Sequence, residues 1–385
     1  MDFVAKLKQE RELTAVVVGF VLLGVIVPAL HVFVPVDSAL HVPDYMIQLL
    51  GKFACFAMVA LALDLIWGFT GVLSLGQGVF FALGGYCMGM YLMRSMAGQG
   101  VYKSELPDFM VFLDWKELPW YWLGFDSFPF ALIMAMLVPG VLAFCFGFLA
   151  FRSRIRGVYF SIITQAMTFA MMLLFFRNET GFGGNNGLTD FKKILGYVMQ
   201  DDSTKVTLYV ITIAVLAGSY FVCRALVNSK AGRVLKAIRD VESKTMFCGY
   251  NTRDFKLFAW TFAAVLSGLA GALYVPQVGI INPSEMEPSN SIEMAIWVAV
   301  GGRGTLVGAL LGAGLVNGMK SWLTASYPDA WLYALAALFI LVTLLLPDGM
   351  VGLIKRIAAM KRAPKAPSSP SIPSGLAPET TQGKA

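Results

Sequence analysis

Ionisable side chains are scarce in this chain of 385 residues. Charged groups make up 14% of it, against about 25% in an ordinary soluble domain. There are two histidines, His31 and His41, and neither belongs to an HExxH, to a paired histidine–carboxylate helix or to any other catalytic cluster. GxSxG is absent, so a nucleophile elbow is excluded. The Gly-rich stretches lack the Gly-Lys-Ser/Thr ending that cradles phosphate, so any ATP hydrolysis must take place in another chain. The five cysteines (Cys55, Cys87, Cys145, Cys223 and Cys248) show no CxxC and no metal-ligand spacing. Most of them lie in apolar stretches, where cysteine is a small buried hydrophobe. An enzyme is therefore not expected, nor a metal or other cofactor.

Apolar residues are what the chain has in excess: 57% of it is hydrophobic. A single soluble core of this length cannot hide so much apolar surface, whereas lipid removes the problem. Long apolar runs occupy 14–34, 46–66, 72–93, 129–150, 158–176, 206–224, 256–277, 304–323 and 329–346, each near the ~20 residues a helix needs to cross the hydrocarbon. A shorter run, 291–301, ends at Gly301-Gly302-Arg303-Gly304. The first run follows a charged start but is too long for a secretory signal and has no small-residue cleavage site, so it reads as a retained helix.

Lysine and arginine in short loops stay on the cytoplasmic side. With the N-terminus inside, 21 of the 30 Lys and Arg residues fall on inner segments, while Glu105, Asp108, Asp114, Glu117, Asp126, Asp201 and Asp202 fall outside. Counting 291–301 as its own crossing or half-crossing puts the basic tail with Lys355, Arg356, Lys361 and Arg362 inside as well. The expected fold is all-α and polytopic, with about ten transmembrane segments and both termini cytoplasmic. Residues 1–355 form the transmembrane domain, and 356–385 form a basic, Pro/Ser-rich tail with no apolar period, expected to be disordered. The loop 94–126, with Trp115, Trp120 and Trp122, is expected at the headgroup level. The formal charge of +6 reflects the inner face and no affinity for nucleic acid.

Polar residues at depth are the candidates for a solute path. One Gly-rich block (Gly71, Gly76, Gly78, Gly84, Gly85, Gly89) carries Ser74 and Gln77. A second (Gly301, Gly302, Gly304, Gly308, Gly312, Gly314, Gly318) carries Asn317. Paired Gly-interrupted segments in two halves of a transporter point to a pathway, although close helix packing accounts for most such glycines. Thr164, Gln165 and Thr168 lie in the fifth span, where a polar side chain faces the bundle interior. Gly183-Gly184-Asn185-Asn186-Gly187 is either a gating loop or an ordinary surface turn. Glu293 is a functional candidate, with snorkelling to the outer boundary as its alternative; Asp64 reads as an inner-boundary acid.

The segment 228–256 breaks the pattern of short loops. From Arg233 to Met246 it reads as an amphipathic helix, with Val234, Ala237, Ile238, Val241 and Thr245 on one side and Arg233, Lys236, Arg239, Asp240 and Glu242 around the rest; Gly249 then stops it. A basic face could lie on anionic lipid. The admixed acids Asp240, Glu242 and Asp254 suit a protein partner better.

AGRVLKAIRDVE…CGYNTRDFK in this segment resembles the coupling loop of permease subunits in branched-chain amino-acid-type ABC importers. ALALDLIWGFTGVLSLGQGVFFALGGYCMGMYLM at 60–93, WVAVGGRGTLVGALLGAGLVNG at 297–318 and LPDGMVGLI at 346–354 resemble further blocks of the same family, in family order. LPDFMVFLDWKELPWYW at 106–122 and ITQAMTFAMMLLFFRNETGFGGNNGLTDF at 163–191 are most similar to the larger permease of urea-type systems. The resemblance implies a bacterial inner-membrane permease that moves urea. Its implied partners are nucleotide-binding ATPase subunits, a second related permease and a periplasmic substrate-binding protein. In that frame Ser74, Gly76, Gln77, Gly78, Thr164, Gln165, Asn185, Asn186 and Glu293 are the pathway candidates. Arg233, Ala237, Arg239, Asp240, Glu242 and Gly249 are the ATPase-coupling candidates. A branched-chain amino acid permease and an ATP-independent channel stay open as alternatives.

Overall fold

The computed structural model describes residues 3–353 apart from 36, 39, 154, 156, 329–332, 335, 338, 339 and 342–348, with side chains from residue 12 onward. Most of the last apolar run, 329–346, and the whole tail 356–385 lie outside the described residues.

The first helical stretch runs from α1 (Phe3–Val21) through a π-helical segment, Leu22–Ile26, into α2 (Val27–Phe33). Pro28 has no N–H to give to the preceding turn, and the wider π turn lies directly before it. There follow α3 (Asp44–Thr70), α4 (Gln77–Arg94), the short α5 (Asp108–Phe112), α6 (Phe128–Arg152), α7 (Val158–Phe176), α8 (Asp202–Asn228), α9 (Lys230–Phe247), α10 (Thr252–Val278), α11 (Pro288–Gly301) and α12 (Leu306–Ser326). Among the described residues, seven helical stretches are long and apolar enough to cross a membrane: Glu12–Phe33, α3, α6, α7, α8, α10 and α12. The chain is thus a polytopic helical membrane protein. The runs at 291–301 and 304–323 are separate helices, parted at Gly302, whose φ of 119° no side chain tolerates well.

The interior is built from α3, α4 and α10. α10 packs on α4, α6 and α3, and α3 also meets α8, α11 and α12. Every residue of α4 from Gln77 to Leu92 is buried. A helix covered on all sides needs no apolar stripe, which is why α4 mixes glycine, tyrosine and methionine around its whole circumference. Outer helices expose Leu137, Phe144, Ile162 and Phe169, as a surface solvated by lipid tails does.

Glycine sets how close the inner helices come. A Cβ on Gly84 would strike the Gly268 carbonyl, and one on Gly271 would strike the Phe81 carbonyl, so α4 and α10 touch backbone to backbone. Gly301 and Gly312 do the same for the α11–α12 hairpin, meeting Gly308 and Trp297 carbonyls.

At the end of the bundle opposite α9, two long connections pack on each other. Trp122 is fully buried and donates Nε1–H to the Gly181 carbonyl at 3.2 Å, while Tyr121 donates to the Thr180 carbonyl at 2.7 Å. Trp122 seals the contact between the connections, whereas Trp120 is exposed, at 81%. β1 (Leu188–Thr189) pairs antiparallel with the residues after α10, Ile280–Ile281, in register Leu188↔Ile281, and β2 (Lys193–Ile194) forms a hairpin with β3 (Tyr197–Val198).

Candidate functional site: two broken segments and a surface helix

The apolar run 72–93 is not one helix. Gly71 ends α3 in the left-handed region (φ 77°), and residues 72–76 form a non-helical, partly buried link before α4 begins at Gln77. Backbone that leaves a helix away from water must find other partners. Here α7 supplies them. Ser161 Oγ donates to the Leu73 carbonyl (2.8 Å), Thr164 Oγ1 accepts from Leu75 N–H (3.1 Å), and Thr168 Oγ1 donates to the Leu75 carbonyl (3.1 Å). Three hydroxyls at spacings of three and four share one face of a helix, and that face lies along the non-helical link. Ser74 Oγ accepts from Gly76 N–H at 3.1 Å.

A second break lies between α10 and α11. The chain passes through Ile280–Ile281 and a short 3-10 turn at Pro283–Met286, capped by Asn282, before α11 starts. The two breaks meet. Gly78 N–H donates to Ser291 Oγ at 3.3 Å, and a Cβ on Gly78 would press on the Glu285 carbonyl at 3.0 Å.

The candidate path residues divide accordingly. Ser74, Gly76, Gln77, Gly78 and Thr164 form one buried cluster. Gln77 is fully sealed; its Oε1 accepts from Ser267 at 2.8 Å, and its Nε2 has no partner among the described residues. Gln165 is half-buried on another face of α7. Asn185 and Asn186 are exposed at the far end, on a turn held against Ile281 and Asn282 by Gly187. Glu293 does not snorkel. It is 6% exposed and forms an ion pair with Lys320 at 2.7 Å. Reading the apolar runs for helix length passed over Lys52 and Lys320, although a lysine inside a span was itself the signal.

At the opposite end α9 lies across the bundle. Ser229 caps it by accepting from Gly232 N–H, and Gly249 (φ 86°) follows its end. Val234, Leu235, Ile238 and Thr245 are buried, whereas Ala237 and Val241 are exposed despite their expected place on the apolar side. The helix is kinked at Val241 (φ −150°, ψ 91°), which breaks the repeat at that residue; Ala237, a turn earlier, sits at the edge of the buried stripe of Val234, Leu235 and Ile238. Lys230, Arg233, Ala237, Asp240 and Lys244 line a surface groove of about 640 Å³. Glu242 is turned inward instead, pairing with Lys256 at 2.6 Å and accepting from Thr252 at 3.1 Å. Arg239 bridges the two environments: Nε meets Asp240 at 3.0 Å, and Nη1 donates to the Gly68 carbonyl at 2.8 Å. Beside it, fully buried Asp64 accepts from Gly304 N–H at 2.7 Å through Oδ1. Phe69 and Arg239 flank Lys236, which desolvation first, and then the Arg239 charge, hold below the usual lysine range.

Residues 45–344 match the family described as branched-chain amino acid transport system / permease component. The chain belongs to this family. It is 24% identical over 318 residues to the high-affinity branched-chain amino acid transport system permease protein LivM of Escherichia coli, covering 77% of this chain and 67% of the relative. It is 28% identical over 223 residues to an autoinducer 2 import system permease protein, LsrC, of Yersinia pseudotuberculosis, covering 56% and 61%. It is 21% identical over 233 residues to the ribose import permease protein RbsC of Haemophilus influenzae, covering 58% and 68%. No solved structure gives a significant match. As a member of the family the chain is an ABC importer permease, and the work of ATP comes from a separate subunit.

Proposed function

We propose that this permease imports a branched-chain amino acid-type solute across a bacterial inner membrane. The relatives' names favour that alternative over the expected urea. The ten-segment count with both termini cytoplasmic, argued from the apolar runs and the positive charges, and the division into a 1–355 domain with a 356–385 tail, argued from composition, belong to this reading. The α9 groove docks a nucleotide-binding subunit on the cytoplasmic side; a second permease and a periplasmic binding protein complete the importer.

The observation that carries the proposal is the continuity from surface to interior. α9 presents exposed Arg233, Asp240 and Lys244 outward, while Arg239 on the same helix holds the end of α3 and the turn before α12. A facilitative channel has no need of such a device. The test is uptake of labelled leucine and labelled urea into proteoliposomes holding the whole importer. ATP-dependent leucine uptake stimulated by the binding protein is expected. ATP-independent flux of either solute would return the channel reading, and ATP-driven uptake of urea alone would restore the urea reading.

A further inference from the structure

A cleft with polar and charged lining lies at the end away from α9, between α3, α10, α12 and the turn before α11. It measures about 480 Å³, within the ~300–1,000 Å³ of small-molecule sites. Its wall carries two lysines inside otherwise apolar helices and one acid, Glu285, on the turn before α11. Lys52 stands eight residues into α3, or ~12 Å along a helix axis, and Lys320 stands six residues from the end of α12, or ~9 Å. Charges at such depth are expensive and mark function by default.

The two lysines are held differently. Lys320 forms an ion pair with buried Glu293. Lys52 has no carboxylate within 4 Å among the described residues; its Nζ sits 5.5 Å from the Phe56 ring centre and 5.9 Å from that of Tyr274. The aromatic faces hold the ammonium in place without neutralising it. Across the cleft Glu285 Oε1 accepts from Tyr274 Oη at 2.9 Å, which leaves its second oxygen for another donor. Glu285 belongs to the turn between α10 and α11 whose backbone presses on Gly78, so the cleft floor is continuous with the junction of the two broken segments. Phe53, Phe56 and Ala325 supply apolar wall between the charged groups.

The geometry points to this cleft as a subsite for a zwitterionic α-amino acid. Lys52 receives its carboxylate, Glu285 its ammonium, and the Phe53–Phe56–Ala325 wall its aliphatic side chain. A neutral solute such as urea can hydrogen-bond to both groups but has no charge to match either, whereas a zwitterion matches both. The inference rests on the importer reading and gives it a substrate class.

The test uses the complete importer in proteoliposomes, with leucine as probe and three variants: Lys52→Gln, Glu285→Gln and Thr324→Trp. Thr324 is an exposed cleft residue at the rim, so the bulky replacement narrows the mouth without touching a charge or the core. Each variant is expected to lower leucine uptake at least tenfold at unchanged basal ATPase activity, and Lys52→Arg is expected to keep most of it. Wild-type uptake at normal rates by all three variants would overturn the subsite. So would a loss that merely follows loss of the second permease from the purified complex, since the cleft would then be a subunit contact. Failure of the wild-type importer itself to move leucine would instead count against the underlying importer reading.

Discussion

The guanidinium of Arg239 donates to the carbonyl of Gly68, 171 residues away, across 2.8 Å. Gly68 is in the last turn of α3, where carbonyls lack helical partners and the helix dipole favours a cation. The same side chain lies under Gly71 and 3.3 Å from the place a Cβ on Gly304 would take. One residue of the surface helix therefore touches both the end of the innermost helix and the turn between α11 and α12. A displacement of α9 would have to break these contacts or carry the two elements with it.

Arg239→Glu places a carboxylate against a helix C-terminus and near Asp64. The number of leucine molecules moved per ATP hydrolysed should fall by roughly tenfold, in the range usual for coupling energies. Arg239→Lys keeps the charge but loses the fork that reaches Gly68 and Asp240 together, and should lose less. Parallel assays of uptake and phosphate release read the ratio directly. An unchanged ratio in Arg239→Glu would show that α9 does not act through Gly68.

Thr164→Val removes the acceptor for Leu75 N–H in the link between α3 and α4. A buried donor left without a partner costs about 1–3 kcal/mol. The melting temperature of the purified complex should drop, and Thr164→Ser should restore it. Gln77→Leu separates path from packing. If Gln77 faces the solute, uptake falls while melting is unchanged; if it only packs, melting shifts through the lost Ser267 partner and uptake per folded complex stays the same.

Two glycines of the paired blocks should behave oppositely. Gly84→Ala drives a methyl into the Gly268 carbonyl, and the inner helices must part, a loss of at least ~1–3 kcal/mol for an overpacked contact. Gly314 is exposed on α12 with nothing within 4 Å of a new Cβ, so Gly314→Ala should be neutral or stabilising by up to ~1 kcal/mol. Thermal melting of both variants is the check.

Much of this arrangement could be read from the residues alone. The break after Gly301 was legible because three glycines and an arginine interrupt an apolar run, and α9 was legible from its capped, charged repeat. The non-helical link 72–76 was hidden, because its apolar residues continue smoothly into α4. What permits the break is a set of hydroxyls on α7, about 90 residues downstream, and no local pattern announces such a pairing. The cleft was hidden for a related reason: Lys52, Glu285 and Lys320 lie on separate helices and a turn, and each passes singly for a tolerated charge. The kink at Val241 left no mark in its composition either, so the division of α9 into buried and exposed faces was only half right.

Arg233 and Arg239 lie on one helix, yet the structure gives them different work, and this separates docking from transmission. Arg233 is exposed and lines the groove with Lys230, Asp240 and Lys244, while Arg239 reaches inward. Surface charge pairs are individually weak, typically below ~1 kcal/mol, and are screened by salt. Arg233→Glu combined with Lys244→Glu should therefore weaken capture of the ATPase subunit several-fold at low salt, with a smaller effect near 1 M salt, and should leave the transport-to-ATPase ratio of the complexes that do form unchanged. Arg239→Glu should do the reverse, leaving capture near wild type and lowering the ratio. Pull-down of the ATPase subunit at two salt concentrations, alongside the uptake assay, resolves the two effects. Full capture by the Arg233/Lys244 variant at low salt would remove the groove as the docking surface.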